Sequence, residues 1–248
     1  MLQQFLHQAA CDFFILQNRK YPRRSSLELV GNRYQLSYLQ RQLLHRGVFD
    51  QSRALARRAK RCLGSAWQAS RLMVDGHNVQ ITVESAILER PLLLANDGAL
   101  RDLAGQSSRF RITQTSEVAL RAILRFLSEF LPCEVLFLFD APMKHSGWLA
   151  EQYRQQLKEY GMVGDARTVA VPEREFRYDR SVIASSDQAV LDASHGWLDL
   201  ARRVIDRAGW NRPMTDFSGL LLTAPASQNV SWYLSQDGMP LVKSDLLC

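Results

Sequence analysis

Two kinds of hydrophobic pattern divide the chain. In the first part, apolar positions recur at helical spacing. Phe5, Leu6, Phe13, Phe14, Ile15 and Leu16 make residues 2–17 an amphipathic helix, and Leu36, Leu39, Leu43 and Leu44 predict another over 34–46, with Gly47 as its stop. Residues 50–63 (DQSRALARRAKRCL) read as a helix of Ala and Arg, and residues 18–33 as a basic, turn-containing connection with a short helix at Ser26–Val30. Gly64–Ser70 looks like a linker. From Arg71 onward, short continuous apolar runs alternate with helical stretches. The runs are Arg71–Val74, Val135–Phe139, Thr168–Val171 and Val182–Ala184, with Trp197–Leu200 as a further strand. The helices fall at roughly 80–89, 115–131 and 146–160, the second capped by Thr115 with Glu117 in its first turn. Strands buried on both faces and separated by helices predict an α/β domain with a central, mainly parallel sheet. The expected organisation is therefore a small all-α module over 1–70 and an α/β domain over 71–210. Residues 211–248 show no clear period and read as loops with a small hairpin.

Charge sharpens this division. The 248 residues hold 31 Lys and Arg against 25 Asp and Glu, a formal net charge of +6. Residues 1–70 hold 12 of the cations and only 3 of the acids, so the helical module is basic and the remainder mildly acidic. Such an asymmetry points to an anionic partner, most often nucleic acid. With 46% apolar and 23% charged residues the composition is that of a globular chain, which excludes collagen-like and wholly disordered classes. Cys11, Cys62, Cys133 and Cys248 form no CxxC pair and no zinc-ligand spacing, so free thiols in a reducing cytoplasm are expected. No apolar run reaches the ~20 residues of a membrane span, which leaves a cytoplasmic protein with no membrane partner as the expectation. A surface carrying both signs of charge allows self-association.

Three aspartates carry the candidate chemistry. Asp75 and Asp140 each end a short apolar strand, and Asp187 follows another, 65 and then 47 residues apart. In an open parallel sheet, ligands bind beyond the carboxyl ends of the strands. Carboxylates gathered there repel one another, and a divalent cation removes that cost. Oxygen donors without His or Cys suit Mg²⁺ or Mn²⁺, which can activate water and stabilise phosphate charge. Each residue has a plainer reading. Asp75 before Gly76 can be turn chemistry, Asp140 can cap a loop, and Asp187 can cap a helix beginning near Gln188. Asn78 and Ser186 can serve as ligand-orienting groups or as caps, and His77 and His145 as proton carriers or structural residues.

At these residues the sequence resembles a family. Val74-Asp75-Gly76-His77-Asn78-Val79, Phe137-Leu138-Phe139-Asp140-Ala141 and Ile183-Ala184-Ser185-Ser186-Asp187, in this order, are similar to the signatures of the PIN-like nuclease superfamily, especially its NYN branch. The resemblance covers about residues 71–200. It implies a three-layer PIN-like domain and an Mg²⁺- or Mn²⁺-dependent phosphodiesterase acting mainly on RNA. It also implies that Asp75, Asp140 and Asp187 are metal ligands and that Asn78 belongs to the site. A fourth acidic ligand is usual, and Glu84, Asp97, Asp102 and Asp192 are the alternatives. The segment LVGNRYQLSYLQRQLL resembles a helical module that precedes such domains in uncharacterised bacterial and archaeal proteins.

The basic module offers a nucleic-acid surface. Arg53, Arg57 and Arg61 fall at i, i+4 and i+8, one stripe on a helix, flanked by Arg58 and Lys60. Tyr21, Tyr34 and Tyr38 interleave with Arg23, Arg24 and Arg33. Arginines can contact phosphates and tyrosines can stack on unpaired bases. Alternatively, the same charge docks the module on the acidic domain. Two rival functions remain: a non-catalytic nucleic-acid-binding adaptor on a degenerate nuclease fold, and a phosphatase for small phosphoesters. No phosphate-binding P-loop, dinucleotide GxGxxG, GxSxG elbow or HExxH is present.

Overall fold

A computed structural model describes residues 2–103, 111–176, 181–210 and 214–221. Cys248 and most of the expected C-terminal loops lie outside them. Helices α1 (Leu2–Asn18), α2 (Arg23–Arg33), α3 (Tyr38–Gly47) and α4 (Gln51–Ala59) come first. The connection expected at 18–33 is therefore mostly helix. The third helix starts late because Ser37 forms a capping box with Gln40. Asp50 caps α4 by accepting from the Arg53 N–H.

The α/β part has a five-stranded sheet in the order β5-β4-β1-β6-β7, built from β1 (Arg71–Asp75), β4 (Glu134–Asp140), β5 (Gly164–Val169), β6 (Val182–Ala184) and β7 (Gly196–Leu198). Every adjacent pair is parallel. Side chains alternate between two buried faces. Leu72, Val74, Val135, Phe137 and Phe139 join a large core with α5 (Gly76–Ile87), α6 (Gln114–Phe130), α7 (Ser146–Glu159) and α10 (Leu200–Ala208). Met73, Leu136, Leu138 and Ile183 face the opposite way, toward α8 (Pro172–Phe176) and α9 (Gln188–Ala193). The α/β class with a mainly parallel sheet and a leading helical segment is as the sequence predicts.

Several boundaries differ. The strand expected at 168–171 is Gly164–Val169, an edge strand in which only Ala166 is buried, so it shows no apolar run. The strand expected at 197–200 ends at Leu198, and Asp199 caps α10. The cap of α6 is Thr113 rather than Thr115. Gly76 is not a turn residue. It opens α5, where a Cβ would lie 2.4 Å from the Phe139 ring. A second sheet has the order β3-β2-β8, with β2 (Leu92–Leu94) and β3 (Leu100–Asp102) antiparallel and β8 (Thr215–Asp216) parallel to β2. Leu93, Phe217 and Leu220 close the core of the N-terminal helices, packing with Phe13, Leu43 and Leu44. Among the described residues no helix is long and apolar enough to cross a membrane.

Candidate active site

The chain runs from β1 to β4 and β5 on one side, then returns to β6 and β7 on the other. The strand order thus reverses between β1 and β6, where an open parallel sheet forms its ligand crevice. Asp75 ends β1 at this point. Its Oδ1 accepts from the Asn78 N–H at 3.3 Å and caps α5, and its Oδ2 accepts from the Ser185 hydroxyl at 2.9 Å. Desolvation pushes the Asp75 carboxyl up to about 7, against the hydrogen bonds from Ser185 and Asn78 and with the help of the Asp187 and Glu173 charges.

The segment after β6 is tied to the start of α5. The Ser186 N–H and hydroxyl both donate to Asn78 Oδ1, at 2.9 and 3.0 Å, and the Asp187 N–H donates to Ser185 Oγ at 3.0 Å. Asp187 also caps α9, its Oδ1 accepting from the Ala189 and Val190 N–H groups. The plainer reading of Asp187 as a cap is therefore correct, and its proximity to Asp75 comes in addition. Asn78 tethers the start of α5 to the segment after β6, while Asp75 caps α5.

Asp140 stands further off. The register pairs Asp75 with Leu138, which leaves Asp140 two residues, about 7 Å, further along β4. Burial raises its carboxyl, and its N–H donates to His77 Nδ1 at 3.1 Å. His77 is 5% exposed, packs edge-on against Phe139, and has its pKa lowered to about 4 by burial. Burial thus favours the neutral ring, which the Asp140 N–H and the Phe139 ring hold in place. His145 is an exposed residue with a left-handed backbone before α7. Among the described residues no three His, Cys, Asp or Glu side chains are grouped closely enough to hold a metal ion by themselves. A hydrated Mg²⁺ or Mn²⁺ needs less: one or two carboxylates, with waters and phosphate oxygens completing its shell. Asp75 and Asp187, two acids whose charges oppose each other at the crevice, fit that donor set.

The alternatives for a fourth ligand are engaged elsewhere. Asp97 is fully buried. Burial favours its neutral form, but Arg101 and Arg57 outweigh this and hold its pKa below the usual range. Arg101 grips it with two bonds of 2.8 Å, and Arg57 donates a third at 2.8 Å. Asp192 receives two bonds from Arg57, at 2.7 and 3.0 Å. Asp102 faces Arg46 at 4.0 Å. Glu84 accepts from Gln80 within the core and is raised by burial.

Most of the expected nucleic-acid surface is also engaged internally. Arg57 is 1% exposed. Arg58 donates to the Asn96 and Ser218 carbonyls, and Lys60 to those of Leu191 and Asp192. Arg61 lies over the Trp197 ring and 3.7 Å from Asp199. Arg23 donates to Gln17 and the Val48 carbonyl and stacks on Phe13 and Phe49. The arginine stripe docks α4 on the α/β domain, and α4 is pinned there on both sides. Arg24, Arg33 and Arg53 remain largely solvent-facing, each opposite an acid: Glu28, Asp12 and Asp192 respectively. Tyr21 and Tyr38 are exposed, whereas Tyr34 donates to Asp12.

Sequence reasoning missed the other wall of the crevice. An open cleft of ≈330 Å³ lies between Gln42, His45 and Arg46 of α3 and Asn78, Ser186 and Asp187, and Arg101 also lines it. Arg101 donates to the Ser186 carbonyl at 2.9 Å, so it anchors the segment that presents Asp187. The available signal was Asn96-Asp97-Gly98 between apolar runs, a hairpin signature that places β3 and Arg101.

Comparison with known proteins adds relatives without assigning an activity. Residues 5–60 match a family described as a protein of unknown function, DUF434. An uncharacterized protein of Methanocaldococcus jannaschii, MJ0935, is 27% identical over 191 residues, covering 77% of this chain and 90% of that protein. No solved structure matches. Residues 65–203, more than half of the chain and the whole of the crevice's β1–β6 side, match a second family, so the protein belongs to the family described as Domain of unknown function (DUF5616).

Proposed function

We propose that the protein is a metal-dependent endoribonuclease that hydrolyses RNA phosphodiesters at the β1–β6 crevice. One observation carries this reading. Asp75, at the point where strand order reverses, is a carboxylate pushed up to about 7, and the charges that act on it most are the acids Asp187 and Glu173. A buried acid without cationic compensation costs stability, and such perturbed groups cluster at functional sites, which supports this reading. Mg²⁺ or Mn²⁺ would be held by Asp75 and Asp187, and would supply a Lewis acid that neutralises phosphate charge. The remaining work falls to the chain's own groups. Ser185 fixes the Asp75 carboxylate, and Asn78 holds the Ser186 N–H and hydroxyl, so the two strand ends keep one spacing. Asp140, raised by burial, sits further along the same edge, where it can accept a proton from a water approaching the phosphate.

The distance of Asp140 along β4 favours a second reading, a nucleic-acid-binding adaptor that does not cleave. Cleavage of a mixed RNA pool with Mn²⁺, by wild type and Asp75→Asn, separates the two. The nuclease reading requires metal-dependent products from wild type and their loss in the variant. Tight RNA binding without cleavage by the wild type would overturn it in favour of the adaptor.

A further inference from the structure

We propose that α3 forms the phosphate-binding wall of the cleft: Arg46, with Gln42 and His45, holds the backbone of single-stranded RNA over the carboxylate edge. The proposal deepens the nuclease reading and rests on it for the choice of ligand.

Gln42, His45 and Arg46 occur at i, i+3 and i+4, so they share one face of α3. That face looks across the cleft at Asn78, Ser186 and Asp187. The opposite face is fixed. Leu43 and Leu44 are buried in the N-terminal core, and Gly47 lets Phe217 and Leu93 approach so closely that a Cβ would lie 2.7–2.9 Å from them. The wall is therefore rigidly placed relative to the second sheet.

The cations on α2 to α4 and on β3 differ in how far they are committed. Arg57 and Arg101 are locked on Asp97, and Arg23, Arg58 and Lys60 are spent on internal acceptors. Arg46 is 29% exposed, and its acidic neighbour Asp102 stands 4.0 Å away, at the outer limit of an ion pair. It can turn to a phosphate at little cost. A cleft of ≈330 Å³ suits a nucleotide-sized group rather than a bare phosphate. Tyr38 extends the same stripe, four residues before Gln42, and is 77% exposed. An exposed aromatic ring in line with phosphate-binding groups suits unpaired bases, which stack on such rings, and duplexes do not offer them. Asp187 lines the cleft opposite this wall, so a strand held by Arg46 would run past its carboxylate.

The test uses the full chain, a short fluorescein-labelled single-stranded RNA, and anisotropy in EDTA over a series of salt concentrations. Arg46→Ala and Gln42→Glu are compared with wild type, and Asp75→Asn serves as the reference. Gln42 is a half-buried surface position where a carboxylate is tolerated in a helix, so it guards against a folding artefact at Arg46. Both wall variants are expected to weaken binding about tenfold, and Arg46→Ala to reduce the salt slope by about 0.7, the loss of one phosphate contact on a single strand. Asp75→Asn is expected to bind at least as tightly as wild type. Wild-type affinity and slope in both wall variants would overturn the proposal. Cleavage with Mn²⁺ is read on the same samples. Cleavage lost in Asp75→Asn with unaltered binding in the wall variants would sink this inference alone. An uncleaved RNA whose binding falls in the wall variants would sink the nuclease reading alone.

Discussion

Two aspartates with little access to water, Asp75 and Asp97, have opposite fates. Asp97 sits between two guanidiniums and is held below the ordinary carboxylate range; Asp75 is pushed up to about 7 by burial, with the charges of Asp187 and Glu173 adding to it. Burial acts in the same direction on both, so the difference lies in the partners. At Asp97 the fold supplies cations from α4 and β3, and the result is a joint between the helical segment and the α/β domain. Phe49 completes this joint, with Arg57, Arg23 and Arg101 stacked on its ring at 4.4, 5.0 and 5.2 Å. At Asp75 the fold supplies hydroxyls and backbone N–H groups, which orient the carboxylate without neutralising it. A satisfied charge is architecture, and an unsatisfied one is an invitation to a ligand.

The largest expected effect breaks the satisfied side. Asp97→Ala leaves Arg57 and Arg101 buried without their shared partner and should cost ~3–5 kcal/mol, read by denaturant unfolding. A midpoint equal to that of wild type would show that the joint is not ionic in substance. Asp75→Asn should next reduce metal-dependent cleavage by ~10²–10³-fold while leaving the fold intact.

The pH dependence of stability separates the two aspartates further. Asp75 has a folded pKa above its unfolded value near 4, so its contribution is complete below about pH 4 and is lost as pH rises through about 7. Asp97 has a folded pKa below its unfolded value, so its contribution is complete above the usual carboxylate range and is lost on acidification. Asp75→Asn should therefore raise the melting temperature above pH 7 by a few degrees, on the order of 1 kcal/mol, with the advantage vanishing toward pH 4. An equal shift at all pH values would contradict the raised pKa. Asp187 offers a finer cut. Asp187→Asn keeps the cap on α9 and should leave stability unchanged, whereas Asp187→Ala should lose ~1 kcal/mol; both should lose metal affinity. The smallest effect belongs to Arg53→Ala, which removes a long, exposed pair with Asp192 and should change stability by less than ~0.5 kcal/mol.

Much of this contrast could be read from the sequence, and the physical reasons for the rest are specific. Strands buried on both faces give continuous apolar runs, so β1, β4 and β6 stood out, with Asp75 and Asp140 ending the first two and Asp187 following the third. β5 presents charged residues on an exposed edge and fell out of register with its prediction. The helix α10 was hidden because β7 ends at Leu198 and Asp199 caps the helix at the very next position, so strand and helix run together in the apolar pattern. The arginine stripe was visible as a stripe, but periodicity says which residues share a face and not what that face meets. Here it meets Asp97 and Asp192, 40 and 135 residues away from Arg57. Arg46 and His45 carried no motif, since their place opposite Asp187 arises only when α3 is packed against the second sheet.

The central proposal is that Asp75, at the β1–β6 crevice, takes part in binding a divalent cation. Calorimetric titration of Mn²⁺ into wild type and Asp75→Asn near pH 7, repeated in buffers of different protonation enthalpy, tests it directly. The account predicts binding by wild type with release of up to one proton, as the metal displaces the proton that Asp75 holds at that pH, and no binding by the variant. Equal Mn²⁺ affinity in the two proteins, or binding without proton release, would contradict it.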